Sequence, residues 1–328
     1  MGFYRSNLEP GYQTVGVSVV NPALFASWVG SSGNSTLTAS DVSVDFGALL
    51  DSANAYYVEI VEGSTGMDDV YVGQRFEVDV ATTMAGATAD GVIAIEMDSD
   101  RTTWVNDPPT TPTTAPVPGG YRFELRAHMT LGQVFDPSSL HASTSFADAD
   151  QIQFYNGGGF TIYYVLGNAQ FAQWTKQVGS FDSMDNFPIA PGEGMIFKRS
   201  SLSPSTANLR VQGVARMTPF VQPMNSGFNF VAEAFLASHS FDSRDAYPGD
   251  FNSLDRVQIY NGTGFDTYLL YTDGQDTHLW VDSVDGEFTE QNLTKVFDYR
   301  GAVFVDIDSQ TSSYRIDPPY PPYAPQSP

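Results

Sequence analysis

Closely spaced aspartates are the first residues in this chain whose type and spacing suit chemistry. Asp98-Ser-Asp100, Asp148-Ala-Asp150, Asp273-Gly-Gln-Asp276 and Asp306-Ile-Asp308 each bring two carboxylates close together. Hard cations are held by about six to eight converging oxygens, so calcium is the one cofactor that these pairs suggest. None of them completes an EF-hand loop, and a single aspartate pair is more often solvated surface than ligand. The histidines, His128, His141, His239 and His278, lack the close spacing of a transition-metal site. There is no Gly-x-Ser-x-Gly elbow and no Gly-x-x-x-x-Gly-Lys phosphate loop. Gly157-Gly158-Gly159 lacks the following helix that a dinucleotide site needs. Carboxylates are too numerous to exclude a glycosidase pair, which only geometry can locate. No catalytic residue is assigned, and the chain is read as a non-enzyme.

The second candidate is a motif that occurs twice. Tyr155-Asn156-Gly157-Gly-Gly-Phe160 returns as Tyr260-Asn261-Gly262-Thr-Gly-Phe265, 105 positions later. Asn-Gly between alternating apolar runs signals a hairpin turn, because its central positions favour φ > 0. The flanking Tyr and Phe would then meet each other or the core across the ladder. These eight residues are expected to be scaffold first. An exposed aromatic contact for a sugar or a partner is the sharper alternative.

The elements that must position these residues are strands. Alternation recurs in Val15-Gly-Val17-Ser-Val19, Tyr57-Val-Glu-Ile-Val61, Arg75-Phe-Glu-Val-Asp-Val80, Val92-Ile-Ala-Ile-Glu-Met97 and Tyr121-Arg-Phe-Glu-Leu-Arg126. Such runs, bounded by Gly, Asn, Asp and Ser, read as half-buried strands. The expected fold is all-β, with two β-sandwich or barrel-like repeat units and a β-rich insert in the first. At most a few short helices are expected, such as 50–55 or 139–147.

Composition bounds the partners. Across 328 residues, 38 acids face 15 Lys+Arg, a net charge of −23. That surface repels nucleic acid and anionic lipid, so neither is an expected partner. Cysteine is absent, which removes disulfide scaffolds and thiolate chemistry. No run approaches the roughly 20 apolar residues of a membrane helix. The start, MGFYRSNLEP, lacks signal-peptide features. Either the protein is cytosolic or the chain is a mature form with a start Met restored, and the second is the favoured reading.

Following the repeat outward gives an organisation. Each copy continues with a Trp (Trp174, Trp280), then Gly194-Met-Ile-Phe197 or Gly301-Ala-Val-Phe304, then Asn208-Leu-Arg-Val211 or Ser313-Tyr-Arg-Ile316. Gly16-Val-Ser-Val-Val20 is matched with Gly227-Phe-Asn-Phe-Val231. The expected units are 1–30 plus 131–212 for the first repeat, 31–130 for the insert and 213–317 for the second repeat. A tail, 318–328, follows. Its Pro318, Pro319, Tyr320 and Tyr323 resemble a docking strap for a neighbouring subunit, a role that the Pro-rich Asp107–Pro118 stretch could share.

One resemblance covers most of the chain. Gly2-Phe-Tyr-Arg5, Leu131-Gly-Gln-Val-Phe135, Asp150-Gln-Ile-Gln-Phe-Tyr-Asn156, the downstream Trp174 and Ile189-Ala-Pro-Gly-Glu-Gly-Met-Ile-Phe197 occur in that order. Thr218-Pro-Phe220 and Gly227-Phe-Asn-Phe-Val231 follow. The series resembles a family of secreted, uncharacterised tandem-repeat β-proteins of verrucomicrobia and related bacteria. The resemblance implies export and a β-rich repeat architecture, and carries over no catalytic residue. The Pro-Tyr tail departs from the family pattern.

Three functions follow as expectations. The first is an extracellular or cell-surface structural protein that self-assembles into a fibre, filament, sheath or surface layer, its partner being itself. The second is a carbohydrate-binding or adhesive module working through the hairpins, against which burial of Trp174 and Trp280 would count. A polysaccharide-degrading enzyme ranks last, for want of any motif.

Overall fold

Much of the alternation in the sequence becomes antiparallel sheet, and the protein is all-β. The computed structural model describes residues 2–33, 35–41, 43–63, 71–85, 90–95, 121–168, 170–179, 181–203, 207–224, 226–236, 255–272, 278–284, 287–290, 302–307 and 312–318. Among the described residues the helices are single turns: Phe46–Leu49, Val80–Met84 and Leu131–Val134, with tighter turns at Pro137–Ser139 and Phe146–Asp148. The helix expected at 50–55 therefore lies just upstream. Asp45 sets its start, its side chain accepting the Ala48 N–H. The one expected at 139–147 resolves into the two tighter turns at its ends. Among the described residues no helix is long and apolar enough to cross a membrane.

The chain divides into two units. The first comprises Met1–Val20, Met129–Arg216 and Asn225–Ser312. Its five-stranded sheet runs in the order Phe171–Lys176, Phe160–Asn168, Gln151–Tyr155, Met195–Arg199, Gly11–Val15. One face carries Ile152, Phe154, Tyr163, Val165, Trp174, Met195 and Phe197, which with Leu131, Val134 and Phe135 form the core. A six-stranded sheet in the same unit runs Gly227–Ala232, Ala302–Ile307, Arg256–Tyr260, Phe265–Thr272, His278–Val284, Glu287–Glu290. Val257, Val303, Val305 and Ile307 are buried on one of its faces.

The two repeated hairpins have the same register: Tyr155 opposes Phe160, and Tyr260 opposes Phe265. Beyond them the matching read from sequence needs correction. Gln153 opposes Ile196, whereas Gln258 opposes Phe304. Phe304 therefore takes the ladder place of Ile196, not of Phe197, and a one-residue slip reverses the face of every side chain. The strand beside Met195–Arg199 is likewise Gly11–Val15, not Gly16–Val20. It opens with Gly11 opposite Arg199, as Gly227 opens its strand opposite Ile307. Both glycines have positive φ, 102° and 87°.

The second unit comprises Asn21–His128, Met217–Met224 and Ser313–Pro328. Its six-stranded sheet runs Arg75–Glu77, Tyr56–Glu62, Arg122–Ala127, Phe25–Gly33, Thr36–Ala39, Val92–Ala94. A bridge between Val78 and Ile95 brings the two edges together, so the sheet curls into a half-barrel. Val29, Leu37, Val58, Ile60, Phe76, Ile93, Phe123 and Leu125 fill it. The short strand Phe220–Met224 packs at Gly73, where φ is 93° and a Cβ would sit 2.5 Å from the Pro219 carbonyl oxygen.

Candidate functional site

The repeated motif makes a four-residue loop, not the two-residue turn that Asn-Gly suggests. Strands end at Tyr155 and Tyr260 and resume at Phe160 and Phe265. The Asn156 and Asn261 N–H groups donate to the Gly159 and Gly264 carbonyls, each at 3.0 Å. The Asn side chains turn back into the loop: Asn156 Oδ1 accepts from Gly158 N–H, and Asn261 Oδ1 from the Thr263 and Gly264 N–H groups. Gly157 and Gly262 supply the left-handed residues, at φ 84° and 99°. Each Tyr hydroxyl donates to the carbonyl of its own loop glycine, at 2.9 Å to Gly157 and 2.8 Å to Gly262. The two copies thus share one hydrogen-bonding pattern.

Both hairpins lead to one residue, Phe304. Its ring lies 5.5 Å from Tyr155, 6.4 Å from Phe160 and 5.5 Å from Phe265, edge-on in each case. Phe228 approaches at 6.1 Å, and Phe230 stacks on it at 4.2 Å. Tyr155 meets Phe160, and Tyr260 meets Phe265, both at 5.4 Å. Phe304 is only 8% exposed, while Phe160, Phe265 and Phe228 are 40%, 40% and 43% exposed. A buried ring is therefore surrounded by three half-open ones.

Close backbone approach holds this junction together. Gly194 N–H donates to the Phe230 carbonyl at 3.0 Å, and Ala232 N–H to the Gly192 carbonyl at 2.8 Å. A Cβ on Gly194 would lie 2.9 Å from both the Ala302 Cβ and the Phe230 carbonyl carbon. Ile196 and Tyr155 pack against Phe230, Ala232, Ala302 and Phe304 from the neighbouring sheet. The rings that meet here offer apolar burial and shape, the means of a contact surface.

The described aspartate candidates, Asp148, Asp150 and Asp306, do not join a third metal-binding side chain. Asp150 is fully buried, and its carboxylate accepts from Ser200 N–H at 2.7 Å, His141 N–H at 2.9 Å and Arg199 Nη1 at 2.9 Å. Three protein donors engage it, so its role in this fold is to tie strands and loop together. Asp148 is exposed in the turn before it, and Asp306 is half-buried opposite Arg256. Asp98, Asp100, Asp273, Asp276 and Asp308 lie outside the described residues, as do Pro319, Tyr320 and Tyr323 of the tail; Pro318 is half-buried. Among the described residues no three His, Asp or Glu side chains come together as a metal site. Trp174 is fully buried and donates its indole N–H to the Phe135 carbonyl at 2.7 Å, which removes it as a sugar platform. The Trp280 side chain lies outside the described residues.

One cluster escaped the sequence reading altogether. The non-core face of the half-barrel carries Tyr57, Glu59, Arg75, Glu77, Glu124, Arg126 and His128, positions that alternation assigns to solvent. Arg126 pairs with Glu124 and lies 3.9 Å from Glu59. His128 Nε2 lies 2.9 Å from Glu77 Oε2, and its ring is 4.8 Å from that of Tyr57. Arg75 donates to the Val221 carbonyl at 3.1 Å and lies 4.1 Å above the Phe220 ring. Burial lowers the Arg75 pKa to about 10, against the favourable charges of Tyr57 and Glu77. The guanidinium stays protonated at neutral pH. The available signal was the complementary charge of three neighbouring runs, with Arg and Glu at the same parity.

Comparison with protein-family models, with curated proteins and with solved structures yields no match.

Proposed function

We propose that this chain is a non-enzymatic extracellular structural protein that assembles with copies of itself into a fibre, sheath or surface layer. The aromatic junction at Phe304 is one face through which copies meet. The observation that carries this reading is the convergence of both hairpins on one buried ring, leaving Phe160, Phe228 and Phe265 each at least 40% exposed. Clustered aromatic rings on a surface that is otherwise strongly acidic mark a place where another surface is to be buried. The resemblance of the motifs to a secreted β-repeat family supports export. Under this reading the two hairpin-bearing segments are repeat units, the Pro/Tyr tail is a strap, and calcium screens or bridges carboxylates between copies.

The test is sedimentation velocity with negative-stain microscopy across calcium and salt concentrations. It compares the full chain, a Phe160→Ser/Phe265→Ser double variant and a chain ending at Asp317. The full chain is expected to associate and the double variant to sediment as a monomer. A full chain that stays monodisperse and monomeric under every condition would sink the reading. Unchanged assembly of the double variant would remove the junction from it.

A further inference from the structure

The strands Phe160–Asn168 and Phe171–Lys176 meet in a turn that begins at Asn168, whose Oδ1 accepts the Gln170 N–H at 2.9 Å. Just before it, Gly167 has φ 153°, and a Cβ there would stand 1.9 Å from the Phe171 carbonyl oxygen. Only glycine permits that approach. Phe171 stands at the end of this hairpin with its side chain 54% exposed. The segment before the first repeated hairpin lies alongside. Ser143 pairs in parallel with Leu166 and donates its N–H to Val165 at 3.0 Å. His141 is fastened on both backbone sides to Asp150, through its N–H at 2.9 Å and its carbonyl at 3.0 Å. Ser138 is held by Asp136 through both N–H and hydroxyl.

Between these two walls lies a cavity of about 420 Å³, lined by Ser138, Leu140, His141, Asn168, Gln170 and Phe171 among others. That volume lies within the usual range of small-molecule sites. We infer that this cavity binds a neutral saccharide. Its described lining holds no Asp, Glu, Lys or Arg, although the chain carries 38 acids. A phosphate or carboxylate ligand would find no cation to pair with there. A purely apolar ligand would strip water from the His141 imidazole and the Gln170 amide without replacing those hydrogen bonds. Sugar hydroxyls both donate and accept, which suits amide, hydroxyl and imidazole side chains. The apolar C–H face of a sugar ring suits the open Phe171 ring. Neither the His141 ring nor the Gln170 side-chain amide makes a hydrogen bond to another described residue. Both are available to a ligand. The walls are pinned by backbone hydrogen bonds, so the site is formed before anything binds. This site is separate from the junction at Phe304 and does not depend on assembly.

Saturation-transfer NMR and titration calorimetry on the full chain test the inference. The probes are glucose, galactose, mannose, N-acetylglucosamine and their short oligomers, at up to roughly 10 mM, where weak single-ring contacts still register. Glucose 6-phosphate and octanoate represent the charged and the apolar alternatives. At least one neutral sugar is expected to bind. Phe171→Ala and Gln170→Ala are expected to weaken it about tenfold or more, and Phe160→Ser to leave it unchanged. Circular dichroism checks the fold of each variant, and Gln170→Ala alone decides if Phe171→Ala does not fold. No neutral sugar binding, binding confined to glucose 6-phosphate or octanoate, equal binding by Gln170→Ala, or loss in Phe160→Ser would each overturn it.

Discussion

Asp150 and Arg199 hold each other in a place that water does not reach, 2.9 Å apart with side chains 0% and 4% exposed. Breaking one side of such a pair leaves a buried charge without its counterpart, which costs about 3–5 kcal/mol. Asp150→Asn should therefore lower the unfolding free energy from urea titration by that order. A change below about 1 kcal/mol would mean that the pair is not structural. Phe304 makes a different demand, because its neighbours are rings rather than charges. Phe304→Ala removes the centre on which both hairpins rest and should cost about 3–5 kcal/mol, the usual range for a buried Phe. If the hairpins are held independently of it, thermal unfolding of this variant will match the parent.

The two repeated hairpins separate glycines that the fold needs from glycines that it tolerates. Gly157 and Gly158 both face open space, but only Gly157 has positive φ, at 84°. Gly157→Ala should destabilise by about 1 kcal/mol, whereas Gly158→Ala should be neutral or mildly stabilising by reducing unfolded-chain freedom. Equal effects in thermal melts would show that the loop conformation is not what the residue sets. Gly194 is needed for space, because its strand lies against Phe230 and Ala302. Gly194→Ala forces its segment away from Phe230 and Ala302 and should cost about 1–3 kcal/mol, as overpacking does. The same change should raise the exposure of Phe304, readable as faster hydrogen exchange across residues 227–232 and 302–307.

For the whole molecule the dominant quantity is a net charge of −23. Copies that meet through phenylalanines must approach against like charge, and salt screens that repulsion over about 10 Å at 0.1 M. Association by the proposed face should therefore strengthen as sodium chloride rises from roughly 10 to 500 mM. Weaker association at high salt in sedimentation velocity would mean that ion pairs, not rings, join the copies. A calcium effect beyond that of sodium at matched ionic strength would point to bridged carboxylates.

By itself the sequence determined the all-β class and the positions of the two hairpins, because alternation and Asn-Gly turn chemistry act over a few residues. It also showed which acids were many and which chemistries had no motif. Only the tertiary structure decided what those residues meet. A shift of one ladder position sends Phe197 into the core and Phe304 to the opposite face, and no local pattern records a register. Asp150 is one of eight candidate calcium ligands that solvated surface outweighs, and the sequence does not show Arg199, 49 positions away, on its carboxylate. Alternation alone puts Glu59, Arg75 and Glu77 on the face away from the core, yet Glu59, Arg75 and His128 are buried, Arg75 against the strand at Phe220. The cavity beside Phe171 joins a loop to a hairpin that lies more than 20 residues further along the chain. Burial and partnership depend on chain segments far apart in sequence, and that is the information that short-range periodicity does not contain.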